Sequence, residues 1–364
     1  MEYRKLPHGD EQISVIGMGT SVVGESSVKN VVDTVTFALD NGINYFDLAG
    51  GHATIFPGIG DALTGRRKDA YLQVHFGADY TSGKYGWNPT LDGVKRSVAW
   101  QLEKLKTDYI DFGFMHCLDE AADLESYEQN GILQYLLDMK AQGVVRHIGL
   151  STHAPHLANR VLDMGILDMM MFSINPMYDY GQSDFSIGSV SERYSLYTRC
   201  EKEGVGISVM KPFNAGQLLD AKKSPFHQAL TPAQCIQYAL DRPDVLTVMQ
   251  GAANIPELKQ NLAYLTATPA ERDYSVIGSF TPEETKGICV YCKHCQPCPV
   301  GLDIGLINKY YDLARQGDVL AKEHYLTLEQ TASDCVGCGH CNSRCPFSVD
   351  QMHRMEDIRA YFGR

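Results

Sequence analysis

The feature that most constrains the fold of this chain is a regular alternation of short apolar runs and amphipathic segments between Ile13 and about Leu265. The apolar runs have the length of buried strands, and the segments between them have the 3.6-residue periodicity of helices. Such alternation is typical of a parallel sheet wrapped in helices. The apolar runs lie at residues 14–19, 43–47, 70–75, 109–116, 144–151, 169–175, 205–210 and 246–251.

Eight strand–helix units in about 250 residues have the size of a (β/α)₈ barrel. The alternative is an open doubly wound sheet, which usually carries the pattern G-x-G-x-x-G after its first strand. Gly17, Gly19 and Gly24 do not match that pattern. We therefore predict the α/β class and a TIM barrel. Helices are predicted at residues 28–39, 91–106, 127–141, 190–203, 232–240 and 257–265.

The chain has 364 residues, a length that at roughly 150 residues per domain favours two domains. The character of the sequence changes over residues 266–287, and a cysteine-rich region follows at once. We predict a barrel over residues 1–265 and a small, mainly helical domain over residues 266–364. A helix at residues 303–320 separates two groups of cysteines in this second domain.

The cysteines are concentrated near the end of the chain, where eight of the 11 lie between Cys289 and Cys345. They form the runs C-x₂-C-x₂-C-x₂-C-P and C-x₂-C-x₂-C-x₃-C-P. Runs of this kind hold [4Fe-4S] clusters in two-cluster ferredoxins. Two Cys₄ zinc sites are the alternative, but zinc motifs pair two C-x₂-C units across a longer loop. We therefore predict two [4Fe-4S] clusters and a ferredoxin-like domain.

In two-cluster ferredoxins, the cysteine that precedes proline ligates the cluster of the other run. The first run here has two residues before its last cysteine where the ferredoxin run has three, so the exchange is a hypothesis. The predicted sets are Cys289, Cys292, Cys295 and Cys345 for one cluster and Cys335, Cys338, Cys341 and Cys298 for the other.

Charge and hydropathy exclude two classes of partner. The formal net charge is −12 without a lysine–arginine block, which argues against nucleic acid as a partner. No apolar stretch approaches the roughly 20 residues that cross a bilayer, and residues 1–12 contain no apolar signal core. We therefore expect a cytoplasmic protein that does not bind membranes.

The order of these pieces resembles the aldo-keto reductases, specifically the bacterial branch with a fused two-cluster ferredoxin tail. The resemblance covers nearly the whole chain, and it implies a barrel with a nicotinamide-dependent carbonyl reductase site at the carboxyl ends of its strands. It rests on the two cysteine runs and on GINYFDLA (42–49), LKTDYIDFGFMH (105–116), HIGLSTH (147–153), VGISVMKPFNAGQL (205–218) and LTPAQCIQYALDRP (230–243).

That family works with an Asp, a Tyr, a Lys and a His. Carried over one position at a time, the Asp is Asp47 and the His is His116, whereas His52 takes the place of the Tyr and His75 that of the Lys. A phenol with a pKa near 10 needs a neighbouring cation to act as an acid at neutral pH, but an imidazole near 6.5 does not. An imidazole in place of the Tyr therefore removes the need for the Lys, so the two replacements are chemically consistent with each other. We predict Asp47, His52, His75 and His116 as the catalytic set.

The resemblance leaves NAD(P) binding an open alternative. Relatives that bind NADP usually place Arg or Lys after the eighth strand, but the segment 251–261, which begins at Gly251, has Lys259 as its only cation. The helix that follows still offers its N-terminus to an anion. Asn175 is predicted to contact a nicotinamide amide or to cap a turn. Lys211 is predicted to pair with a substrate anion or with a structural carboxylate.

Several histidines at strand ends should converge in one pocket, for which three hypotheses stand. In the first, Asp47 and the histidines handle protons for a small polar organic substrate while the clusters exchange electrons with a ferredoxin or flavoprotein. In the second, histidines from the set His52, His75, His116 and His153 bind a catalytic Zn²⁺ or Fe²⁺. In the third, the barrel is a non-catalytic scaffold or electron-transfer subunit. The first is favoured, because the family uses the Asp and the His without metal.

Neighbouring residues complete the predicted pocket. Tyr85 and Trp87 lie in the loop after the third strand and are predicted to form one wall. Cys117 follows His116 directly, and the alternation of side chains along a strand predicts that it points away from the pocket into the core.

Overall fold

The computed structural model describes residues 1–179, 186–279, 287, 289, 295–315, 319–345 and 348–364. Its strands are β1 (Tyr3–Lys5), β2 (Gln12–Ser14), β3 (Ile16–Gly19), β4 (Tyr45–Asp47), β5 (Tyr71–Phe76), β6 (Ala78–Asp79), β7 (Gly86–Trp87), β8 (Ile110–Met115), β9 (Val145–Thr152), β10 (Met169–Ser173), β11 (Gly206–Met210) and β12 (Val245–Gly251).

Eight parallel strands close into a barrel in the order β3, β4, β5, β8, β9, β10, β11 and β12, and β12 pairs with β3. Each predicted apolar run overlaps one of these strands, so the predicted barrel is confirmed. The first run, residues 14–19, holds two elements. Ser14 ends an antiparallel hairpin of β1 and β2, and the barrel strand begins only at Ile16.

The helices of the described residues lie mainly between the barrel strands and around them. They are α1 (Val28–Asp40), α2 (Ile55–Ala62), α3 (Leu91–Leu105), α4 (Ala121–Gln129), α5 (Ile132–Ala141), α6 (Pro155–Leu162), α7 (Pro176–Asp179), α8 (Val190–Glu203), α9 (Pro232–Leu240), α10 (Ile255–Leu262), α11 (Pro269–Arg272), α12 (Ile304–Arg315), α13 (Val319–Leu326), α14 (His340–Arg344) and α15 (Gln351–Phe362).

Two of the predicted helices are divided in the structure. The helix predicted at residues 127–141 is the end of α4 followed by α5, because Gly131 has a φ of 74° and a left-handed residue cannot continue an α-helix. The helix predicted at 303–320 corresponds to α12 and the start of α13, with residues 316–318 outside the described residues.

The barrel interior is packed with large side chains at the end that the hairpin of β1 and β2 covers. Tyr45, Phe112, Phe114 and Met169 are fully buried there and belong to one apolar cluster, together with Leu6 from the turn between β1 and β2. Such packing is expected of an eight-stranded barrel, whose interior is just wide enough for side chains to fill. Substrate access is therefore restricted to the opposite end, where the strands have their carboxyl termini.

Helices α12 and α13 lie against the carboxyl ends of the barrel strands. Val319 at the start of α13 packs so closely on Gly51 that a Cβ atom there would lie 2.8 Å from its Cγ2. The predicted boundary between residues 265 and 266 stays a prediction. Residues just beyond it contact the barrel, since the ring of Tyr274 lies 5.2 Å from that of Tyr238 on α9.

No helix in the described part of the chain is both long enough and apolar enough to cross a membrane. The cytoplasmic location stays a prediction.

Candidate functional site

A cavity of about 450 Å³ lies between the carboxyl ends of the barrel strands and the helices α12 and α13. Because both parts of the chain form its walls, a ligand there would contact the barrel and the cysteine-rich region at the same time. Its lining includes Asp47, His116, His153, Lys211 and Gly251 from the barrel and His324 from α13.

Five side chains form one continuous hydrogen-bonded chain beside this cavity. Asp47 Oδ1 lies 2.7 Å from His75 Nε2, and His75 Nδ1 lies 3.0 Å from His116 Nδ1. His116 Nε2 lies 2.9 Å from the Tyr85 hydroxyl, which lies 2.8 Å from His324 Nε2. All five side chains are almost completely buried. We call this set, Asp47–His75–His116–Tyr85–His324, the histidine chain.

The hydrogen-bond chemistry gives the histidine chain a direction. An ionised carboxylate only accepts, so His75 donates to Asp47 from Nε2 and accepts at Nδ1. His116 then donates from Nδ1 and accepts at Nε2 from the Tyr85 hydroxyl. The hydroxyl oxygen in turn accepts from His324 Nε2. One arrangement of protons therefore satisfies every link with neutral imidazoles.

Burial reinforces that arrangement at its centre. Burial, together with the neighbouring His75 and His324, holds the pKa of His116 well below its usual value. His116 is therefore a neutral imidazole at neutral pH, with one nitrogen donating and one accepting. Gln73 adds a further restraint at the carboxylate end, because its Nε2 donates to Asp47 Oδ1 over 2.9 Å.

Tyr85 reaches the site because two loops pair through their backbones. The amide of Tyr85 donates to the carbonyl of Gly51 over 3.1 Å, and Lys84 forms an antiparallel bridge with His52. The strands β6 and β7 form a short hairpin that carries the tyrosine inward. Tyr85, which was predicted only as part of the pocket wall, thus lies within hydrogen-bond distance of His116 and His324. Its position in the sequence does not indicate these contacts.

The structure brings Asp47, His75 and His116 together, whereas no hydrogen bond among the described residues joins His52 to them. His52 is half-buried, forms the backbone bridge described above, and is not one of the described residues that line the cavity. The catalytic role of His52 stays a prediction.

His324 was not predicted from the sequence. It lies 239 positions from Tyr85, and no sequence motif identifies it as a site residue.

A second buried cluster surrounds Asp119, just after β8. Its carboxylate accepts from the amide of His153 over 2.6 Å, from His153 Nδ1 over 3.0 Å and from Lys309 Nζ on α12 over 2.5 Å. Although burial acts to raise it, Lys309 and His153 hold the pKa of Asp119 well below its usual value. The carboxylate is therefore an anion, and it connects the barrel to the cysteine-rich region.

Among the described residues, Cys117, Asp119 and His153 can bring ligand atoms within 4.8 Å of one another. A divalent cation there would meet the ammonium of Lys309, so the residues present fit a metal poorly. Metal binding by the predicted histidines stays a hypothesis.

Cys117 was predicted to point into the core, but it lines the cavity. The reason is its positive φ of 48°, which breaks the alternation of the strand.

The residues predicted to bind a nicotinamide cofactor have different surroundings. Lys211 and Gly251 line the cavity. Asn175 is completely buried, donates to the carbonyl of Lys211 over 2.8 Å and accepts from the amide of Tyr178 over 3.0 Å. Of the two alternatives, these contacts correspond to a turn cap.

The N-terminus of α10, where the family would place a phosphate, is occupied by side chains of the chain itself. Asn254 caps the helix by accepting from the amide of Glu257 over 3.1 Å, and the Glu257 carboxylate accepts from the amide of Ala253 over 2.8 Å. A carboxylate therefore stands where an anion would bind, and the fit to the 2′-phosphate of NADP is poor.

The cysteines of the two runs lie close together, and no disulfide joins those in the described residues. Val349 donates its amide to Cys345 Sγ over 3.4 Å, and the Gln351 side chain donates to Cys289 Sγ over 3.5 Å, so both cysteines contact the same short segment, residues 349–351. Cys292 lies outside the described residues. Five others, Cys295, Cys298, Cys335, Cys338 and Cys341, line one small apolar cavity.

These thiols fit iron–sulfur clusters, because thiolates are the ligands of such clusters and the amide donors to sulfur tune them. Cys298 shares its cavity with three cysteines of the second run, as the predicted exchange requires. Cys295 also borders this cavity, and the assignment of each cysteine to one cluster stays a prediction.

Comparisons with known proteins give the family. Residues 15–231 match the aldo/keto reductase family, and residues 287–349 match a 4Fe-4S dicluster domain. The chain therefore belongs to the aldo/keto reductase family and carries a C-terminal 4Fe-4S dicluster domain. It is an oxidoreductase, as predicted.

The chain is 27% identical over 314 residues to the uncharacterized oxidoreductase YqkF of Bacillus subtilis, covering 78% of this chain and 98% of that protein. It is 25% identical to L-galactose dehydrogenase of Arabidopsis thaliana, over 73% of this chain and 88% of that protein. Aldo-keto reductase AKR11C1 from Bacillus halodurans, in its holo form, shares the fold with a TM-score of 0.60 and 23% identity, over 78% of this chain and 97% of that chain.

Proposed function

We propose that this protein interconverts a carbonyl group and an alcohol on a small polar organic substrate bound in the 450 Å³ cavity, with electrons exchanged through two [4Fe-4S] clusters. The histidine chain supplies or removes the accompanying protons. The observation that carries this proposal is the continuity of that chain, which runs from Asp47 in the barrel to His324 in the cluster domain.

The balance of electrons and protons supports this assignment. Reduction of a carbonyl to an alcohol consumes two electrons and two protons. When bound, each [4Fe-4S] cluster supplies one electron at a time. Protons must reach the same buried cavity, and His116 and His324, which line it, lie in a hydrogen-bonded path along which a proton can move.

Each member of the histidine chain has a defined task in this proposal. Asp47 holds the His75 tautomer that donates from Nε2, and His116 is the neutral imidazole at the cavity wall. A proton that enters at His324 Nε2 moves to the Tyr85 oxygen, and the phenolic proton moves to His116 Nε2. The Nδ1 proton of His116 then moves to His75 Nδ1 and the Nε2 proton of His75 to Asp47, which lines the cavity and passes a proton to the substrate. General acid–base catalysis of this kind contributes typically 10²–10⁴-fold to a rate.

The names of relatives support a small carbonyl or hydroxyl compound as substrate. L-galactose dehydrogenase of Arabidopsis thaliana and an NADH-specific methylglyoxal reductase of Escherichia coli are both similar to this chain. A nicotinamide cofactor in the cavity is the competing electron source. The Glu257 carboxylate at the N-terminus of α10 disfavours the 2′-phosphate of NADP, so the nicotinamide that competes best is NAD. The cavity of about 450 Å³ has room for a small substrate, which argues against a barrel that serves only as a scaffold.

A redox partner must then deliver electrons to the cluster domain, and a ferredoxin or flavoprotein has the required chemistry. The loop around Cys338 is the candidate contact, because this cysteine is exposed and Val336 beside it is 63% exposed. A cluster held near the surface allows electron transfer from a partner that never enters the barrel.

The test is anaerobic reoxidation of the clusters. Protein reduced with dithionite and then desalted is mixed with methylglyoxal or glycolaldehyde, and the visible absorption of the clusters is followed. We expect the bleached absorption to return, with one alcohol formed for every two electrons lost, as measured by NMR of the product.

The control uses NADPH or NADH with the oxidised protein. If either nicotinamide supports carbonyl reduction while reduced clusters stay bleached in the presence of every aldehyde, the clusters are not the electron source and the proposal is wrong. Replacement of His116 by Gln should slow reoxidation by the aldehyde but leave the iron content unchanged.

A further inference from the structure

His153 has a buried nitrogen whose hydrogen-bonding capacity is not used within the described residues. Its Nδ1 faces the Asp119 carboxylate at 3.0 Å, but its Nε2 has no hydrogen-bond partner and is excluded from solvent. The residue is only 4% exposed and lines the cavity. A buried polar atom without a partner is costly, so a ligand in the cavity that donated to Nε2 after a small local shift would relieve this cost.

The surroundings of His153 determine what that ligand can offer. The Asp119 carboxylate only accepts, so the proton of a neutral His153 lies on Nδ1 and the lone pair lies on Nε2. Burial, aided by Lys211 and Lys309, lowers the pKa of His153 to about 4, although Asp119 opposes this shift. The imidazole is therefore neutral, and its free nitrogen is an acceptor.

An acceptor nitrogen selects for donors. A hydroxyl group can donate to it, whereas a carboxylate or phosphate would place one lone pair against another. We propose that His153 Nε2 binds a hydroxyl group of the substrate, so that the cavity takes hydroxylated carbonyl compounds in preference to their deoxy counterparts. This inference rests on the proposed function, because it names the substrate class of the same cavity.

The acceptor is held in place by contacts from both parts of the chain. Thr152 donates its hydroxyl to Asp119 over 3.1 Å, and the amide of His153 donates to the same oxygen over 2.6 Å. Lys309 contacts the other carboxylate oxygen from α12. Asp119 therefore cannot rotate away, and Nδ1 of His153 cannot exchange its role with Nε2 without losing a buried hydrogen bond.

The experiment compares glycolaldehyde with acetaldehyde, which differ by one hydroxyl group. Dissociation constants are measured by ligand-observed NMR on the full protein with oxidised clusters, so that no electrons are present for turnover. We expect the wild type to bind glycolaldehyde about tenfold more tightly than acetaldehyde, which corresponds to one hydrogen bond to a buried acceptor.

The variants His153→Leu and His153→Gln separate recognition from folding. Leu has no acceptor, so the preference for glycolaldehyde should disappear, while Gln retains an acceptor oxygen and should keep part of it. The matched control is His156→Leu, at an exposed position on α6, which should keep the full preference. Iron content and circular dichroism check that each variant is folded.

Equal affinity for the two aldehydes in the wild type, no binding of either, or a preference that survives in His153→Leu would each overturn the inference. If the preference holds but reduced clusters are not reoxidised, His153 recognises a hydroxyl as inferred and the proposed function is the part that fails. If reoxidation occurs without any preference, the reverse is true.

Discussion

The Tyr85 hydroxyl is the link on which the histidine chain depends. His116 and His324 have ring centroids 6.2 Å apart, and the described hydrogen bonds between them pass through this one oxygen. A phenol can donate and accept at once, which lets a proton enter from one imidazole and leave to the other. Removal of this single atom would separate the barrel imidazoles from α13.

We therefore expect Tyr85→Phe to lower the rate of aldehyde-dependent cluster reoxidation about 100-fold, with little change in substrate affinity. The matched control is Tyr80→Phe on the same hairpin, whose buried hydroxyl lies outside the histidine chain and contacts the carbonyl of Leu48. Stopped-flow absorption measures both rates. Equal rates in the two variants would mean that protons take another path.

At the opposite end of the barrel, His147 lies between two carboxylates. Its Nε2 is 2.9 Å from Glu11 and its Nδ1 is 3.6 Å from Asp168. Although burial acts to lower it, Asp168 and Glu11 raise the pKa of His147. Burial acts to raise the pKa of Asp168, but His147 and Lys140 lower it to about 2. These shifts make the pair favourable only while both groups are charged.

The sign of the pH dependence follows from these directions. The contribution of His147 is complete below about pH 6.5 and is lost as the pH rises through its raised pKa. The contribution of Asp168 to the stability is present above about pH 4 and is lost as the pH falls towards 2. His147→Gln should therefore cost about 1 kcal/mol between these limits, reduced by partial exposure, and less at pH 9. Thermal unfolding at several pH values measures the difference, and an equal cost at all pH values would contradict it.

At the scale of elements, the two cysteine runs form one unit although the helix α12 separates them. Cys345 and Cys289, which are 56 positions apart in the sequence, both accept hydrogen bonds from residues 349–351. The predicted exchange of fourth ligands would make each cluster a cross-link between the two runs. Loss of one cysteine should therefore affect one cluster and weaken the contact between the runs.

The wild-type protein should contain about eight iron and eight sulfide ions, and Cys345→Ala should reduce both to about four. Cys117→Ala is the matched control, because this cysteine lies at the barrel cavity and should leave the iron content unchanged. Elemental analysis after anaerobic preparation measures both. Zinc in place of iron, without visible absorption that bleaches on reduction, would remove the electron-transfer proposal.

At the scale of the whole molecule, a buried ion pair joins the cluster domain to the barrel. Lys309 and Asp119 are 2% and 3% exposed, and their charged atoms lie 2.5 Å apart. Loss of one member of a buried pair leaves the other charge without compensation. Asp119 also lines the cavity, so the pair lies beside its wall.

Lys309→Met, which keeps the length of the side chain, should reduce the free energy of unfolding by about 3–5 kcal/mol. The control is Lys106→Met, which breaks an exposed pair with Asp61 and should change it by less than about 1 kcal/mol. Anaerobic denaturant titration followed by fluorescence measures both changes. If the two variants were equally stable, the pair would not hold the domains together.

Local signals in the sequence determine the barrel and the metal-binding chemistry. The periodicity of apolar residues predicts all eight strands, because a strand buried on both faces must be apolar over its whole length. Resemblance places Asp47, His75 and His116 at strand ends, which a closed parallel barrel gathers at one mouth. The cysteine spacing predicts clusters because a short loop limits the distance between thiolates.

Only the tertiary structure decides which side chains complete the site. His324 meets Tyr85 across 239 positions and Lys309 meets Asp119 across 190, and no periodicity within either segment specifies such a contact. The backbone also redirects residues that pattern alone misplaces. The backbone of His52 pairs with that of Lys84 while its side chain makes none of the hydrogen bonds of the histidine chain, and a positive φ turns Cys117 towards the cavity. These outcomes depend on how separate elements pack, because contacts between distant segments are fixed only when the helices of one domain dock on the strands of the other.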